Sequence, residues 1–402
     1  MKIFLLTPVY AITTGKNAST PVVHYFAKEW VKQGHDVTVF HLEPKYPSLF
    51  YWFAKKIQHK LIAYFSQSIP VEAPKDSNIV ADGVRVKCIT YNKYIPHSRV
   101  SKSAIKGIVR KISCASEMNG APDVLIGHWD NPQLDVLPAL KNIYNVSTCL
   151  VLHNNEFHLE KTYGKETNKL LSQIDIIGFR NASARMNFEN KYGQISKSFI
   201  AYSGVSESFL KAGMGYMPDF STGVRNYMYV GILLKRKYPA EILESLEQVS
   251  GDGNFSITYA GDGECRNEIV EIHKKYNKKG TVNLLGRIAR EDIIKYLKKC
   301  QVFVMISKSE IFGLVYLEAM AMGLIPIGSR NEGIDGIIVD GKNGFLCEAG
   351  NVIELSAVIK RINNMSTTEL IEISNNARQT AMEFSDFKVA KKYIDFVKQN
   401  II

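Results

Sequence analysis

Short apolar runs alternate with longer amphipathic segments along most of the chain. In the first half the apolar runs predict strands, and they cover residues 2–6, 36–42, 84–90, 124–127, 147–153, 174–179 and 198–202. Residues 21–34 predict a helix, because Pro21 suits a first helical turn and Gly34 suits a helix end. Strands that alternate with helices are typical of a parallel sheet with helices on both faces.

A second series of the same kind follows residues 211–223, which are rich in Gly, Pro and Ser and predict a linker. Its predicted strands cover residues 226–230, 255–260, 282–284, 302–306, 325–327 and 344–346, with helices such as 240–249 and 290–300. We therefore expect an N-terminal domain over 1–212, a C-terminal domain over 224–382, and an amphipathic helix within 383–402. Two such α/β domains predict a cleft between them, with ligands beyond the carboxyl ends of the strands.

Composition excludes several classes of protein. Of the 402 residues, 46% are hydrophobic and 22% are charged, which is typical of a folded protein and not of a disordered one. The six cysteines show no C-x-x-C pair and no zinc spacing, so we expect a reducing, cytoplasmic compartment. No run approaches the ~20 apolar residues of a membrane-spanning helix, so any membrane contact is expected to be peripheral.

The positive charge is concentrated in the first half. The formal net charge is +11, and residues 1–215 carry 26 Lys and Arg against 16 Asp and Glu. This predicts a polyanionic partner, either nucleic acid or an anionic membrane, although a basic solvated surface is an equally good explanation. Neither interleaved aromatic and basic residues nor a helix-turn-helix pattern is evident, so nucleic acid is disfavoured.

Two segments of this half favour an anionic membrane as the partner. Within residues 50–64, apolar residues recur every three or four positions opposite Lys55, Lys56 and His59. Further along, Arg99, Lys102, Lys106 and Arg110 are predicted to share one helical face. A core-facing helix with a solvated basic side explains either segment alone. Together they favour peripheral attachment to anionic lipid at the inner face of the plasma membrane.

The stretch 302–344 carries the strongest chemical pattern. A buried strand leads to Glu310, Gly313 opens a helix, and Glu318 lies inside that helix eight positions after Glu310. The first N–H groups of a helix and its dipole attract anions. The pattern suits a ligand with phosphate in the middle and hydroxyls at both ends, although two such glutamates taken alone are better explained by a capped, solvated helix.

This stretch resembles the donor-site signature of the retaining glycosyltransferases of family 4: a Glu, seven residues, a second Glu, A-M-A-x-G and a proline-containing strand. The chain reads E-IFGLVYL-E, AMAMG and Pro326. The resemblance extends to QGHDVTVF at 33–40, AYSGVSESF at 201–209 and GDGECR at 261–266. It implies the GT-B fold, in which two Rossmann-like, doubly wound parallel-sheet domains face each other across a cleft. The first binds the acceptor, the second binds the nucleotide sugar, and the last helix crosses back to the first.

The resemblance also implies roles for the second-domain residues. Glu310 would hold the donor sugar and Glu318 the ribose, while Arg236 and Lys237 would neutralise the diphosphate. The family arginine is replaced by Ile232, so Lys235 or Arg236 is expected to supply that charge. The remaining predicted donor contacts are Gly231, Gly261, Arg287, Ile288, Phe312, Gly313, Leu314 and Val315.

In the first domain the resemblance points to two histidines and one loop. His128 is expected beside the reacting centre, although a lone histidine at a strand end is commonly structural. His153 and Asn154 are expected on the acceptor side. Gly15 and Lys16 are expected near the diphosphate, in a loop where relatives often carry a glycine pair.

The sequence therefore predicts a retaining glycosyltransferase that uses a nucleotide sugar. The expected acceptor is a lipid-linked saccharide of a surface polysaccharide. No D-x-D motif occurs, so no metal and no other cofactor is expected. A nucleotide-sugar 2-epimerase or a phosphorylase of the same architecture is the alternative. The GDG turn at 261–263 is too short for a dinucleotide fingerprint, which disfavours an oxidoreductase. The base, the sugar, the linkage and the oligomeric state stay open.

Overall fold

A computed structural model of the protein describes residues 1–10, 21–65, 72–96, 98–117, 120–153, 156–250, 254–277 and 280–401. The chain forms two compact units. The first comprises Met1–Tyr202 together with Asp386–Ile402, and the second comprises Ser203–Ser385.

Each unit is built on one sheet. The strands of the first unit are β1 (Lys2–Thr7), β2 (Asp36–Lys45), β3 (Ser77–Ala81), β4 (Val84–Asn92), β5 (Val124–His128), β6 (Ser147–Leu152), β7 (Ile176–Phe179) and β8 (Ser198–Ile200). Those of the second are β9 (Asn226–Val230), β10 (Ser256–Ala260), β11 (Thr281–Gly286), β12 (Val302–Val304), β13 (Ile325–Ser329) and β14 (Phe345–Cys347).

The helices follow the strands in the order that the sequence pattern predicts. They are α1 (Val22–Lys32), α2 (Ser48–Phe65), α3 (Lys102–Glu117), α4 (Gln133–Tyr144), α5 (Glu156–Tyr163), α6 (Thr167–Leu171), α7 (Ala182–Tyr192), α8 (Glu207–Gly213), α9 (Pro239–Val249), α10 (Arg266–Lys275), α11 (Arg290–Leu297), α12 (Leu314–Ala321), α13 (Val352–Asn363), α14 (Thr367–Glu383) and α15 (Asp386–Asn400). No described helix combines the length and the apolar character needed to cross a bilayer.

The sheet of the first unit has the order β3-β4-β2-β1-β5-β6-β7-β8. All neighbouring strands are parallel except β3 and β4. The strand order reverses between β1 and β5, which is where doubly wound sheets bind ligands. Helix α15 belongs to this unit: the Trp30 indole N–H donates to the Ala390 carbonyl at 2.9 Å, and Tyr393 packs edge-on against Phe26 and Trp30.

The sheet of the second unit has the order β11-β10-β9-β12-β13-β14 and is parallel throughout. Its strands are apolar and largely buried, apart from the edge strand β11, as expected for a parallel sheet covered on both faces. The order reverses between β9 and β12. The loops that follow these two strands therefore flank the point where this unit is expected to bind a ligand.

The structure differs from the sequence expectation at the domain boundary. The predicted boundary at residue 212 falls inside α8, which packs on α12 so closely that a Cβ at Gly213 would lie 1.9 Å from the Ala321 carbonyl oxygen. The predicted linker also contains a buried side chain, Phe220, and the Gln301 amide donates to the Gly223 carbonyl at 2.7 Å. Residues 203–223 are therefore part of the second unit. The antiparallel edge strand β3 was not predicted.

Candidate functional site

Two predicted donor residues meet where the second sheet reverses its strand order. Lys237 follows β9 and Glu310 follows β12, and the Lys237 Nζ lies 3.1 Å from the Glu310 Oε2. Only 13% of the lysine side chain and 15% of the glutamate side chain are exposed. The fold thus brings a cation and a carboxylate from opposite sides of the strand reversal into direct contact.

Arg236 provides the guanidinium that the sequence pattern lacks at Ile232. Its Nη1 lies 3.8 Å from the Glu310 Oε2 and donates to the Lys308 and Ser309 carbonyls at 3.2 and 3.3 Å. Ile232 is 38% exposed. The side chain of Lys235 is exposed, and its backbone N–H donates to Glu264 at 3.1 Å. Of the two expected substitutes for the family arginine, Arg236 lies beside Glu310.

The Glu310 loop is supported by a segment that sequence reasoning did not assign to the site. The Glu310 backbone N–H donates to the Glu332 carboxylate at 2.8 Å, and the Gly333 N–H donates to the Glu310 carbonyl at 2.9 Å. A Cβ at Gly333 would lie 2.4 Å from the Ile311 carbonyl oxygen, so only glycine allows this approach. The only signal in the sequence was the Asn-Glu-Gly at 331–333, which is typical of a turn.

The start of α12 presents backbone N–H groups next to this loop. Gly313 caps the helix in the left-handed conformation, with φ +71. Gly313, Leu314 and Val315 are half-exposed, whereas the Phe312 side chain is buried. The first N–H groups of an α-helix have no acceptor within the helix, so they are able to bind an anion. Phe312 would take part through its backbone.

Glu318 lies on the second turn of α12, and its side chain is 5% exposed. It forms a close ion pair with Arg290, the first residue of α11. Burial raises the pKa of the Glu318 carboxyl, and the Arg290 charge and hydrogen bond oppose that rise. The Arg290 guanidinium also lies 5.9 Å from the centre of the Phe209 ring. Arg290 was not predicted, because the ion pair joins residues that are 28 positions apart.

Tight turns bring the other predicted donor residues to the same edge of the sheet. A Cβ at Gly261 would lie 1.8 Å from the Gly231 carbonyl oxygen, and the Gly231 N–H donates to the Ala260 carbonyl at 3.0 Å. Arg287, which is exposed, and Ile288, which is half-exposed, follow β11. The strand order β11-β10-β9-β12 therefore places all four predicted donor loops along one edge.

In the first unit, His128 and His153 end neighbouring strands and contact each other. The His128 Nδ1 lies 2.8 Å from the His153 Nε2, and the His128 Nε2 lies 3.4 Å from the Tyr393 hydroxyl. His128 is fully buried and His153 is 7% exposed. Burial, together with the positive charge of Arg180, lowers the pKa of both imidazoles well below 6.5. His128 is thus a core residue, and His153 lies nearer the surface.

Three further residues complete this cluster, and sequence reasoning missed them. The Trp129 ring stacks on His153 with a centroid distance of 3.8 Å, and Tyr393 comes from the distant helix α15. Arg180 follows β7 and donates to the Ala201 carbonyl, and burial lowers its pKa to about 10. Only Arg180 had a signal, its position directly after a predicted strand. The predicted residues Gly15, Lys16 and Asn154 lie outside the described residues.

The two basic segments of the first unit have different environments. Lys102, Lys106 and Arg110 are exposed on α3. Arg99 precedes the helix, and its guanidinium pairs with Asp135 at 2.6 Å and Glu166 at 2.5 Å. The expectation that Arg99 shares the basic helical face is therefore wrong, because carboxylates from α4 and its surroundings neutralise it.

Exposed apolar side chains cluster on α2 and after β4. Helix α2 follows β2, and β2 is the neighbour of β4 in the sheet. The ends of these two strands lie together, since Lys45 is the register partner of Asn92. The apolar patch consists of Leu49, Trp52, Phe53, Tyr94 and Ile95, each at least half exposed. Lys45, Lys55 and Lys56 are also exposed, and the Lys56 Nζ lies 3.7 Å above the Trp52 ring. The side chains of the rest of α2, from residue 57, lie outside the described part.

Known proteins that resemble this chain are glycosyltransferases. Residues 220–380 match the family model described as "Glycosyl transferases group 1". The N-acetyl-alpha-D-glucosaminyl L-malate synthase of Bacillus anthracis is 22% identical over 91% of this chain and 90% of its own. Sucrose-phosphate synthase from Thermosynechococcus elongatus superposes with a TM-score of 0.70 at 15% identity, covering 99% of both chains. Anabaena HepE in complex with UDP gives a TM-score of 0.68 at 15% identity, covering 99% of this chain and all of that one.

Proposed function

We propose that this chain, whose residues 220–380 match the family model "Glycosyl transferases group 1", is a retaining glycosyltransferase that uses a nucleoside diphosphate sugar. It is a glycosyltransferase with the GT-B fold, which comprises two Rossmann-like domains. The proposal adds the donor, the acceptor class and the stereochemistry. As the sequence predicts, we propose that the reaction proceeds without a metal.

The pair Lys237 and Glu310 is the observation that carries the donor assignment. In a nucleotide sugar, the sugar and the diphosphate share one glycosidic oxygen, so a carboxylate for sugar hydroxyls and a cation for phosphate must lie within a few ångströms. The 3.1 Å separation meets this requirement. Negative charge accumulates on the diphosphate as the bond breaks, and Lys237, Arg236 and the start of α12 are placed to stabilise it.

Glu318 is assigned to the nucleoside end of the donor. An ionised carboxylate accepts two hydrogen bonds from neighbouring hydroxyls, as a ribose offers. Arg287 and Ile288 lie at the same edge of the sheet and are assigned to the base. The solved structures of Anabaena HepE, which superpose on this chain, contain UDP, so uridine nucleotides are the first probes.

Retention is assigned to attack on the face from which the diphosphate departs. The acceptor oxygen bonds to the anomeric carbon, the bond to the diphosphate oxygen breaks, and the acceptor proton passes to that departing oxygen. Glu310 is paired with Lys237 and braced by its loop, which suits hydrogen bonding to the sugar better than covalent attack. In the first unit, His128 is assigned to orienting His153 on the acceptor side.

The apolar patch supports a lipid-linked acceptor. Aromatic side chains flanked by lysines are typical of surfaces that rest in the headgroup region of anionic membranes. The patch has this composition, and it lies in the half of the sequence that carries most of the net positive charge. We therefore assign the enzyme to the cytoplasmic face of an anionic membrane, where it would extend a lipid-linked saccharide of a surface polysaccharide.

Thermal unfolding with a nucleotide panel tests the donor assignment. UDP, GDP, ADP and their glucose conjugates are added to the full chain at a hundred times Kd, with and without EDTA. One base is expected to raise the Tm of the second unit by roughly 5–10 °C. EDTA is expected to leave the shift unchanged, and Glu318→Ala to abolish it. If no nucleotide stabilises the unmodified protein, the proposed function is wrong.

The epimerase alternative predicts a different product. Incubation of the protein with the stabilising nucleotide sugar alone, followed by NMR of the sugar, distinguishes the two. A transferase is expected to leave the sugar at C2 unchanged, apart from slow hydrolysis. An epimerised sugar formed without any acceptor would contradict the transferase assignment.

A further inference from the structure

The contact between Glu318 and Arg290 adds a residue to the nucleotide site. Glu318 is almost completely buried on α12, and Arg290 reaches it from the first turn of α11. We propose that Arg290 is a positioning residue, whose guanidinium keeps the Glu318 carboxylate ionised and oriented so that it can accept hydrogen bonds from a nucleotide's ribose. This role rests on the proposed function, since it assumes that Glu318 binds the ribose.

Other charged groups on the elements packed against α12 pair with other residues or face solvent. On α8, Glu207 and Lys211 pair with each other at 2.8 Å on the surface. On α14, Arg378 donates to the Tyr216 carbonyl, and Glu369, Glu372 and Glu383 are exposed. Strand β13 carries no titratable side chain. Among the charged residues of these described elements, Arg290 is the one that pairs with Glu318.

The protonation state of Glu318 decides what it can bind. A carboxylate accepts hydrogen bonds on both oxygens, whereas a neutral carboxyl group has one donor and accepts less well. Burial favours the neutral form and raises the pKa, and Arg290 acts against this effect. Removal of the guanidinium would therefore leave a carboxyl group that is neutral over a wider range of pH.

The coupling can be measured without any ligand. The full chain and its variants Arg290→Gln, Glu318→Gln and the double variant are unfolded thermally between pH 5.5 and 8.5. In R290Q the folded state holds a proton on Glu318 that the unfolded chain releases, so its Tm is expected to fall by roughly 3 °C or more as the pH rises. The double variant lacks this carboxyl group and is expected to lose that extra slope. Arg290→Lys, which keeps a positive charge, is expected to restore the unmodified profile in part.

The nucleotide role has its own readout. Isothermal titration calorimetry gives the Kd of R290Q and of the unmodified protein for UDP at pH 6.0 and pH 8.5. If GDP or ADP gives the larger thermal shift, that nucleotide replaces UDP. The Kd of R290Q is expected to exceed that of the unmodified protein at least tenfold at pH 6.0. At pH 8.5 the difference is expected to be less than threefold, because the Glu318 carboxyl ionises there without the guanidinium.

The outcomes separate the two proposals. A Kd ratio that is equally large at both pH values would show that Arg290 contacts the nucleotide itself, which overturns the positioning role. A ratio near one at both pH values, with normal binding by the unmodified protein, overturns it as well. Absence of binding by the unmodified protein at every pH overturns the proposed function, and with it the role of Arg290 toward a nucleotide, even where the unfolding series shows the coupling.

Discussion

Polar side chains of the second unit act in pairs that its strand order assembles. Two such pairs are Lys237 with Glu310 and Arg290 with Glu318. In each pair the two residues are at least 28 positions apart in the sequence. Each pair is largely buried, where removal of one partner leaves an uncompensated charge and costs more than at the surface. Single substitutions in these pairs are therefore informative.

Lys237→Ala is expected to weaken binding of the stabilising nucleotide by roughly tenfold to a hundredfold, because a charge-assisted hydrogen bond to phosphate contributes about 1.5–3 kcal/mol. Isothermal titration calorimetry measures this change. Lys235→Ala is the matched control: the residue lies two positions away on the same turn, with an exposed side chain. It is expected to change Kd less than threefold. Equal losses in both variants would mean that general charge, and not the buried pair, attracts the nucleotide.

At the scale of elements, the carboxyl ends of parallel strands gather the functional residues of each unit. The second sheet gathers the four donor loops, and the first places His128, His153 and Arg180 at the carboxyl ends of three neighbouring strands, β5, β6 and β7. The same rule brings the start of α2 next to the loop after β4. At these strand ends the Lys93 N–H donates to the Lys45 carbonyl at 2.9 Å, and the exposed apolar residues of the patch follow the two strands.

Trp52→Ser combined with Phe53→Ser is expected to reduce binding to phosphatidylglycerol vesicles by at least about tenfold, because each inserted aromatic ring contributes roughly 1.5 kcal/mol or more. Cosedimentation with vesicles measures the bound fraction. Phe157→Ser, which removes an aromatic ring of the same unit with 66% exposure, is the control and is expected to bind normally. Equal binding of the unmodified protein to neutral phosphatidylcholine vesicles would contradict an anionic surface as the partner.

For the whole molecule, the two units differ in their buried imidazoles. Among the histidines that the structure describes, five have a lowered pKa with burial as the largest cause, and all lie in the first unit: His24, His35, His41, His128 and His153. For His41 the pKa falls to about 4. A base whose pKa is lowered by folding stabilises the native state above its unfolded pKa of about 6.5. That contribution is lost as the pH falls toward the folded value.

Acidification from pH 6.5 to pH 5.5 is therefore expected to destabilise the first unit by about 1 kcal/mol for each strongly shifted histidine. All three tryptophans, Trp30, Trp52 and Trp129, lie in this unit, so tryptophan fluorescence follows its unfolding. On acidification, the unfolding midpoint of the first unit, measured by fluorescence, should fall. It should fall more than the midpoint of a second transition, measured by circular dichroism, that reports the second unit. His41→Gln is expected to reduce the slope, and His273→Gln in the second unit to leave it unchanged. Equal acid sensitivity of both transitions would contradict this assignment.

Local pattern was enough to predict much of the fold. The strand 226–230 was predicted with the bounds of β9, and most other strands within a few residues, because buried parallel strands appear as short apolar runs between turn residues. The boundary near residue 212 was misplaced, because the packing of α8 on α12 leaves no periodic signal. Strand β3 was missed, since its side chains are mostly exposed and carry little apolar contrast.

The amino-acid sequence by itself specifies the chemical groups of the candidate site. These are Glu310 and Glu318 at their spacing, the glycine at the start of α12, and the cations after β9. The tertiary structure decides which of these groups come into contact. The strand reversal brings Lys237 to Glu310, and long-range packing brings Arg290 to Glu318 and Tyr393 to His128. Local propensity acts over a few residues, whereas burial and ion pairing depend on neighbours that only the folded sheet and its helices bring together.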